Sequence, residues 1–170
     1  MSQEAVQEDL LNRALEAIRS WVQVEKTPQP NRVDVVIRRE DLLTVVETLK
    51  QIQWGYLSAI TGMDHPAVEL GQEGSAQEGY VEVLYHFCEK DKVLTLRVSV
   101  PYSDAVIPSI CGILPSATLY ERELSEMFGV QIEGTPDTNR LLLPDNWPEG
   151  VYPLRKAFTG LEEAKEGSNE

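Results

Sequence analysis

Cysteine and histidine are nearly missing from this sequence. Its two cysteines, Cys88 and Cys111, each lack a second cysteine two or three residues away, so neither a zinc knuckle nor an iron–sulfur cluster can be assembled from this chain. Each is expected to be a small buried hydrophobe. The two histidines, His65 and His86, stand in different segments without an H-x-x-x-H or H-E-x-x-H spacing, and a metal site built by this chain alone is not expected. Basic residues are scarce as well: 15 Lys and Arg face 28 Asp and Glu, a formal charge of −13, which repels phosphate backbones and anionic headgroups and argues against nucleic-acid or direct lipid binding. No apolar run approaches the roughly 20 residues of a membrane span, and MSQEAVQEDL has no basic-then-apolar signal profile. The expected place is the cytoplasm, with any membrane association made through partners. Glycine-rich phosphate loops, a G-x-S-x-G elbow and a reactive-cysteine context are absent too.

What is present suits one domain with a modest appendage: 170 residues with 42% apolar content can bury a single core. Leu11, Ala14, Leu15, Ile18 and Val22 repeat at helical spacing and predict a helix from about 4 to 22. KTPQPNR breaks it, through two prolines and an Asn. Val33, Val35 and Ile37 alternate as a half-buried strand, and Leu42, Val45, Val46, Leu49 and Ile52 return to helical spacing before Trp54-Gly55 closes the segment. YLSAITGMDH reads as a strand, followed by an exposed, mobile loop PAVELGQEGSAQEG. Val81, Val83, Tyr85 and Phe87, then Leu94, Leu96, Val98 and Val100 across the polar turn EKDK, predict an antiparallel hairpin. YSDAVIPSICGILP is expected as loop with a short helix, and 116–128 as helix. The fold class expected is α+β: helices packed on one face of a small, mostly antiparallel sheet, with an extended C-terminal tail. The division is 1–129 for the domain and 130–170 for a partner-binding tail, disordered at its end.

The run ERELSEMFGVQIEGTPDTNRLLLPDNWPEGVYPLRKAF, residues 121–158, concentrates charge, proline and a basic pair. Tyr120, Leu124, Met127 and Phe128 make the apolar stripe of its helix, leaving Glu121, Arg122, Ser125 and Glu126 for the surface, with Arg122 and Glu126 spaced to pair. Gly129 suits a left-handed cap. Three readings compete for these residues. They can be a solvated helix face with routine ion pairs; Glu121, Glu123 or Glu126 can serve a free-standing enzyme as general acid or base, with Asp64-His65 supplying a second group; or the run can dock on another protein. Pro144, Pro148 and Pro153 keep the tail extended, Arg140, Arg155 and Lys156 offer cations in an anionic protein, and Leu and Trp anchors stand between them. The tail can equally fold back over its own sheet, or do both.

In order and spacing, ERELSEMFGV, GTPDTNRLLLP and PLRKAF resemble the signature of the thirty-kilodalton subunit, also called the C subunit, of NADH:quinone oxidoreductase, respiratory complex I. That pattern has Glu-Arg-Glu, two residues, an acidic residue, Met or Leu, an aromatic and Gly, here Glu121, Arg122, Glu123, Glu126, Met127, Phe128 and Gly129. Glu126 replaces the usual Asp, Ser125 a common aromatic, Thr135 the His of Gly-His-Pro, and Ala157 the Asp after Pro-Leu-Arg-Lys. The resemblance implies a structural subunit of the peripheral arm, on the cytoplasmic face of the membrane, without catalytic residues, metal or cofactor of its own; iron–sulfur clusters, flavin and quinone belong to partner subunits. It implies docking on the large quinone-site component, the D subunit, which shapes the quinone site together with the B subunit; in some members the C and D components are fused. Related proteins occur in membrane-bound nickel–iron hydrogenases and similar energy-converting complexes, the alternative assignment. The partner-binding residues implied are Glu121, Arg122, Glu123, Glu126, Gly129, Pro136, Arg140, Trp147, Pro153, Leu154, Arg155 and Lys156.

Overall fold

The computed structural model describes the backbone of residues 3–69 and 76–161, with the side chains of residues 10–69 and 77–161. Helix α1 (Gln3–Ile18) buries the expected stripe of Leu11, Ala14, Leu15 and Ile18. It ends earlier than residue 22, where periodicity placed it: a single 3-10 turn, Arg19–Trp21, follows, and Val22 is already extended. The supposed break after it is in fact strand β1 (Val24–Gln29), antiparallel to β2 (Arg32–Val36). β1 is exposed along its whole length and irregular between Lys26 and Gln29. An edge strand needs ladder bonds on one side only, so it tolerates Pro28 where an inner strand would not.

Helix α2 (Leu42–Gln51) buries Leu42, Val45, Val46 and Leu49, and Trp54, buried, anchors its exit by donating its indole N–H to the Leu10 carbonyl at 2.7 Å. Strand β3 (Tyr56–His65) pairs with β6 (Tyr80–Glu89), and β6 with β7 (Lys92–Pro101) across the two-residue turn Lys90-Asp91. Short strands β4 (Val68–Glu69) and β5 (Ala76–Gln77) pair with each other in the expected loop. Residues 70–75 of that loop, like the tail end 162–170, lie outside the described residues. The main sheet runs β1-β2-β7-β6-β3, antiparallel except for the parallel β2–β7 pair. Register puts Val33, Val35, Leu94, Leu96, Val98, Val81, Val83, Tyr85 and Ile60 on one face, all buried. On that core, α1 packs on α2 and β7, and α3 (Thr118–Phe128) on β3. The architecture is the α+β layering the sequence implied.

The sheet's other face carries a charge ladder. Arg97 donates to both Glu82 oxygens at 2.8 and 2.7 Å and reaches Asp34 at 3.3 Å, while Arg32 donates to Asp34 at 2.9 Å. His86 lies between Thr95 and Thr61, 3.1 and 3.2 Å from their hydroxyls, and His65 stacks on Tyr80. Among the described residues no group of three or more His, Cys, Asp and Glu is placed to hold a metal.

Two further strands were invisible in the local pattern. β8 (Val106–Pro108), in the expected loop, pairs in parallel with β9 (Gln131–Glu133), past the point where periodicity fades. Ile107, Val130 and Ile132 are buried there. Each strand is three residues long, too short for alternation to register.

Candidate functional site

Helix α3 is started by a 3-10 turn with Pro115 at its first position and stopped by Gly129 in the left-handed region, φ +68°. Its C-terminal end is tightly packed. At Gly62 of β3 a Cβ would sit 2.5 Å from the Phe128 ring, so glycine is what lets the helix lie against the strand. At Gly129 a Cβ would sit 2.3 Å from the Tyr152 ring, and besides its conformation this position needs glycine for the ribbon to cross.

Glu121 is not on the surface. It is 1% exposed and accepts hydrogen bonds from the Ser109 hydroxyl at 2.7 Å, the Ile110 N–H at 2.7 Å and the Cys111 thiol at 3.1 Å. The carboxylate therefore ties the 109–111 turn to α3. Cys111 is buried as expected, and Cys88 is half-buried. Burial pushes the Cys111 thiol above its ordinary value, against the opposing hydrogen bonds of Ser109 and Thr118 and with help from Glu121, which leaves it a poor nucleophile.

Arg122 and Glu126 do not pair with each other; each holds a different part of the ribbon. Arg122 donates to the Asn139 and Arg140 carbonyls at 2.9 and 2.8 Å and meets Asp137 at 3.0 Å. Glu126 accepts the N–H groups of Leu141, Leu142 and Leu143, the last two at 2.9 Å. Intrahelical pairing is worth a few tenths of a kcal/mol, and longer-range charge-assisted bonds to backbone displace it. Arg140 then staples the next turn, donating to the Pro144 and Trp147 carbonyls at 2.8 and 2.9 Å, while the Trp147 indole donates to Val151 at 2.8 Å.

The ribbon's end is bracketed by Arg155, which is not the exposed cation expected of a tail. Its side chain is 15% exposed. It donates to the Phe128 carbonyl at 2.6 Å, lies 3.4 Å from Asp64 and covers the Tyr102 ring at 4.1 Å. A cation on the last carbonyls of α3 also opposes the negative end of the helix dipole. Asp64, buried at the end of β3, further accepts the Tyr102 hydroxyl and the Lys156 N–H, the latter at 2.9 Å. The Leu154 N–H reaches the Met127 carbonyl at 3.2 Å.

Of the twelve marked residues, Glu121, Arg122, Glu126, Gly129, Arg140 and Arg155 thus converge on holding the ribbon and its helix together. Trp147 and Pro153 are half-buried within it, and Glu123, Pro136, Leu154 and the Lys156 side chain face outward. Asp64, Tyr102, Ser109 and Tyr152 complete the brackets, and only Asp64 carried a signal, a carboxylate closing an apolar strand. The leucines divide: Leu143 is half-buried, while Leu142 and Leu154 are 57% and 52% exposed.

Glu126 is not set up as a general acid. A cleft of about 350 Å³ includes Glu121, Arg122 and Glu126 in its lining, but burial, which raises the Glu126 carboxyl, is outweighed by the N–H groups of Leu143, Leu142 and Leu141, which hold it below its ordinary value of 4.5. A general acid needs the opposite shift. Since the folded value is the depressed one, this bracket contributes in full above about pH 4.5 and is lost as pH falls through the folded value. On acidification the amide resonances of Leu142 and Leu143 are expected to move together with a midpoint below 4.5. A midpoint at or above that value would mean that Glu126 does not hold them.

Residues 35–164 match the family model of the respiratory-chain NADH dehydrogenase, 30 Kd subunit. An NADH-quinone oxidoreductase C subunit from Nocardioides sp. is 33% identical over 127 residues, 72% of this chain and 47% of that protein. A C/D subunit of the same enzyme from Erwinia tasmaniensis is 35% identical over 128 residues, 73% of this chain and 21% of that one. The chain thus spans half or less of the length of these two relatives. A membrane-bound hydrogenase beta subunit from Pyrococcus furiosus is 31% identical over 134 residues, 78% of this chain and 73% of that protein. Among solved structures, a chain of the membrane-bound sulfane sulfur reductase, an archaeal respiratory membrane complex, shares the fold at TM-score 0.65 and 23% identity, covering 93% of this chain and 88% of its own.

Proposed function

Since the chain belongs to the 30 Kd subunit family of respiratory-chain NADH dehydrogenase, we propose that it is a cofactor-free structural subunit in the peripheral arm of a proton-translocating NADH:quinone oxidoreductase, docking on the large D subunit beside the quinone-site module. One observation carries this reading. The ribbon after Gly129 is bracketed to the body by Arg122, Glu126 and Arg155, yet it holds Leu142 and Leu154 more than half exposed. Ordering an extended segment so firmly while leaving its apolar residues in water is a cost without return unless a neighbouring protein covers them. The Erwinia relative bears the fused name C/D, which supports the D subunit as that neighbour. No helix among the described residues is long and apolar enough to cross a membrane, so partners would carry the attachment, on the cytoplasmic face. The iron–sulfur clusters, flavin and quinone would belong to those partners, the B subunit among them.

With Leu142→Asp and Leu154→Asp combined, the tagged chain should recover about tenfold less of its partner subunits from its host. The isolated chain should melt as before, because both side chains are exposed. Undiminished recovery would remove the docking role. A second reading, the equivalent subunit of a membrane-bound hydrogenase, is favoured by the larger share of the Pyrococcus protein that the chain spans, 73%. Recovered partners decide between them: an NADH-binding subunit supports the first, a nickel-ligating large subunit the second.

A further inference from the structure

Where Arg155 joins the ribbon to Asp64, ribbon and body frame a groove of about 720 Å³. Pro66, Ala67 and Tyr102 line it from the body, and Val151, Ala157 and Phe158 from the ribbon. Arg155 belongs to the lining itself, so the groove keeps its shape only while the ribbon is bracketed. Its size lies in the range of pockets that take a drug-sized molecule, roughly 300–1,000 Å³, which is room for several side chains rather than one. Exposed apolar residues continue from it along the chain: Val68 follows Ala67 and is 54% exposed, and Leu161 follows Gly160 of the lining and is 37% exposed.

The only charged residues of the lining are Asp64 and Arg155, and they pair with each other. Asp64 also accepts the Tyr102 hydroxyl and the Lys156 N–H, and Arg155 also donates to the Phe128 carbonyl. Just outside the lining, Glu149 precedes Gly150 and Lys156 follows Arg155, opposite charges that favour neither sign. A charged group entering the groove would lose water without a counter-ion dedicated to it, so the groove selects uncharged, apolar side chains.

The chain's own neighbouring segments do not supply them. Residues 162–170, EEAKEGSNE, have Ala164 as their one apolar residue, and residues 70–75, LGQEGS, have Leu70 alone. A second copy of this chain would bring −13 against −13, and like charge of that size opposes self-association. We propose that the groove receives an apolar segment of the docking partner, a different protein that inserts several uncharged side chains between body and ribbon. This rests on the docking reading above and adds where the partner is anchored and by what chemistry: apolar groups in a preformed pocket, the arrangement in which interface affinity concentrates.

The test uses the full-length tagged chain expressed in its host, with partner recovery measured by mass spectrometry. Ala67→Trp and Ala157→Trp, one on each wall, put an indole where the lining has a methyl group, and each should recover about tenfold fewer partner subunits. Both positions are exposed, so the isolated variants should melt like the wild type. Independently of any substitution, amide exchange of the wild-type chain at 66–68 and 157–161 should be slower in the recovered complex than in the isolated chain; equal exchange would overturn the proposal. If the double leucine variant loses its partners while the tryptophan variants keep theirs, the docking reading stands and the groove's part in it is overturned. If all three keep their partners, both readings fall. A small molecule held by the purified wild-type chain in native mass spectrometry and lost from the tryptophan variants, with partner recovery unchanged, would also overturn the proposal, since the groove would then be a ligand site.

Discussion

Arg155→Ala releases the end of the ribbon: amide exchange at Leu154 and Lys156 accelerates about a hundredfold, equivalent to about 3 kcal/mol of lost local stability. The substitution removes three contacts together, the bond to the Phe128 carbonyl, the ion pair with Asp64 and the stacking over Tyr102. It also leaves the Asp64 carboxylate, whose side chain is 3% exposed, without a cation, and breaking a buried pair costs more than making one gains. Burial, together with the hydrogen bond to Asp64, already holds the Tyr102 phenol above its ordinary value, so Tyr102 stays a neutral donor and cannot compensate. Arg155→Lys should recover only part of the protection, because an ammonium cannot span Phe128 and Asp64 with a planar fork. Unchanged exchange at Leu154 and Lys156 in the alanine variant would show that Asp64 and Arg155 do not close the ribbon.

Glu121→Leu acts on the whole domain rather than on the ribbon. It keeps the volume but removes the acceptor of the Ser109 hydroxyl and the Ile110 N–H, leaving both without that partner beside the core. Each orphaned group costs about 1–3 kcal/mol, so unfolding of the isolated chain should become easier by about 3 kcal/mol and the melting temperature should fall by about 6–12 °C. Glu121→Gln retains an acceptor oxygen and should lose about half as much. A leucine variant as stable as the wild type would mean that the buried carboxylate is not what joins the 109–111 turn to α3. The two substitutions are separable, since only Arg155→Ala confines its effect to the ribbon.

The periodic elements were legible in the sequence because burial of one face imposes its own spacing. The stripe from Leu11 to Ile18, the α2 positions Leu42 to Leu49 and the β6–β7 alternation all lie where their spacing put them. β1, β8 and β9 were not legible. The first is exposed throughout, and the other two are too short to alternate. The candidate site divided along the same line. The motif run marked only part of what holds the ribbon and its helix, since Asp64, Tyr102 and Ser109 lie outside it, and not what each residue does: Glu121, expected on the surface, is in the core, and Arg122 and Glu126, spaced for each other, both turn to the ribbon.

Taken alone, the amino-acid order determined the helical and strand faces, the α+β class and the anionic character, because each is a property of local spacing or of composition, and its C-terminal motifs carried the resemblance to the family. Tertiary structure decided the partners of the charged groups. Asp64 and Arg155 are 91 positions apart, and Glu121 and Ile110 lie on separate elements. A carboxylate selects its donors by distance after the chain has folded, when low local dielectric and satisfied backbone groups outweigh the weak pairing available between neighbours on one helix.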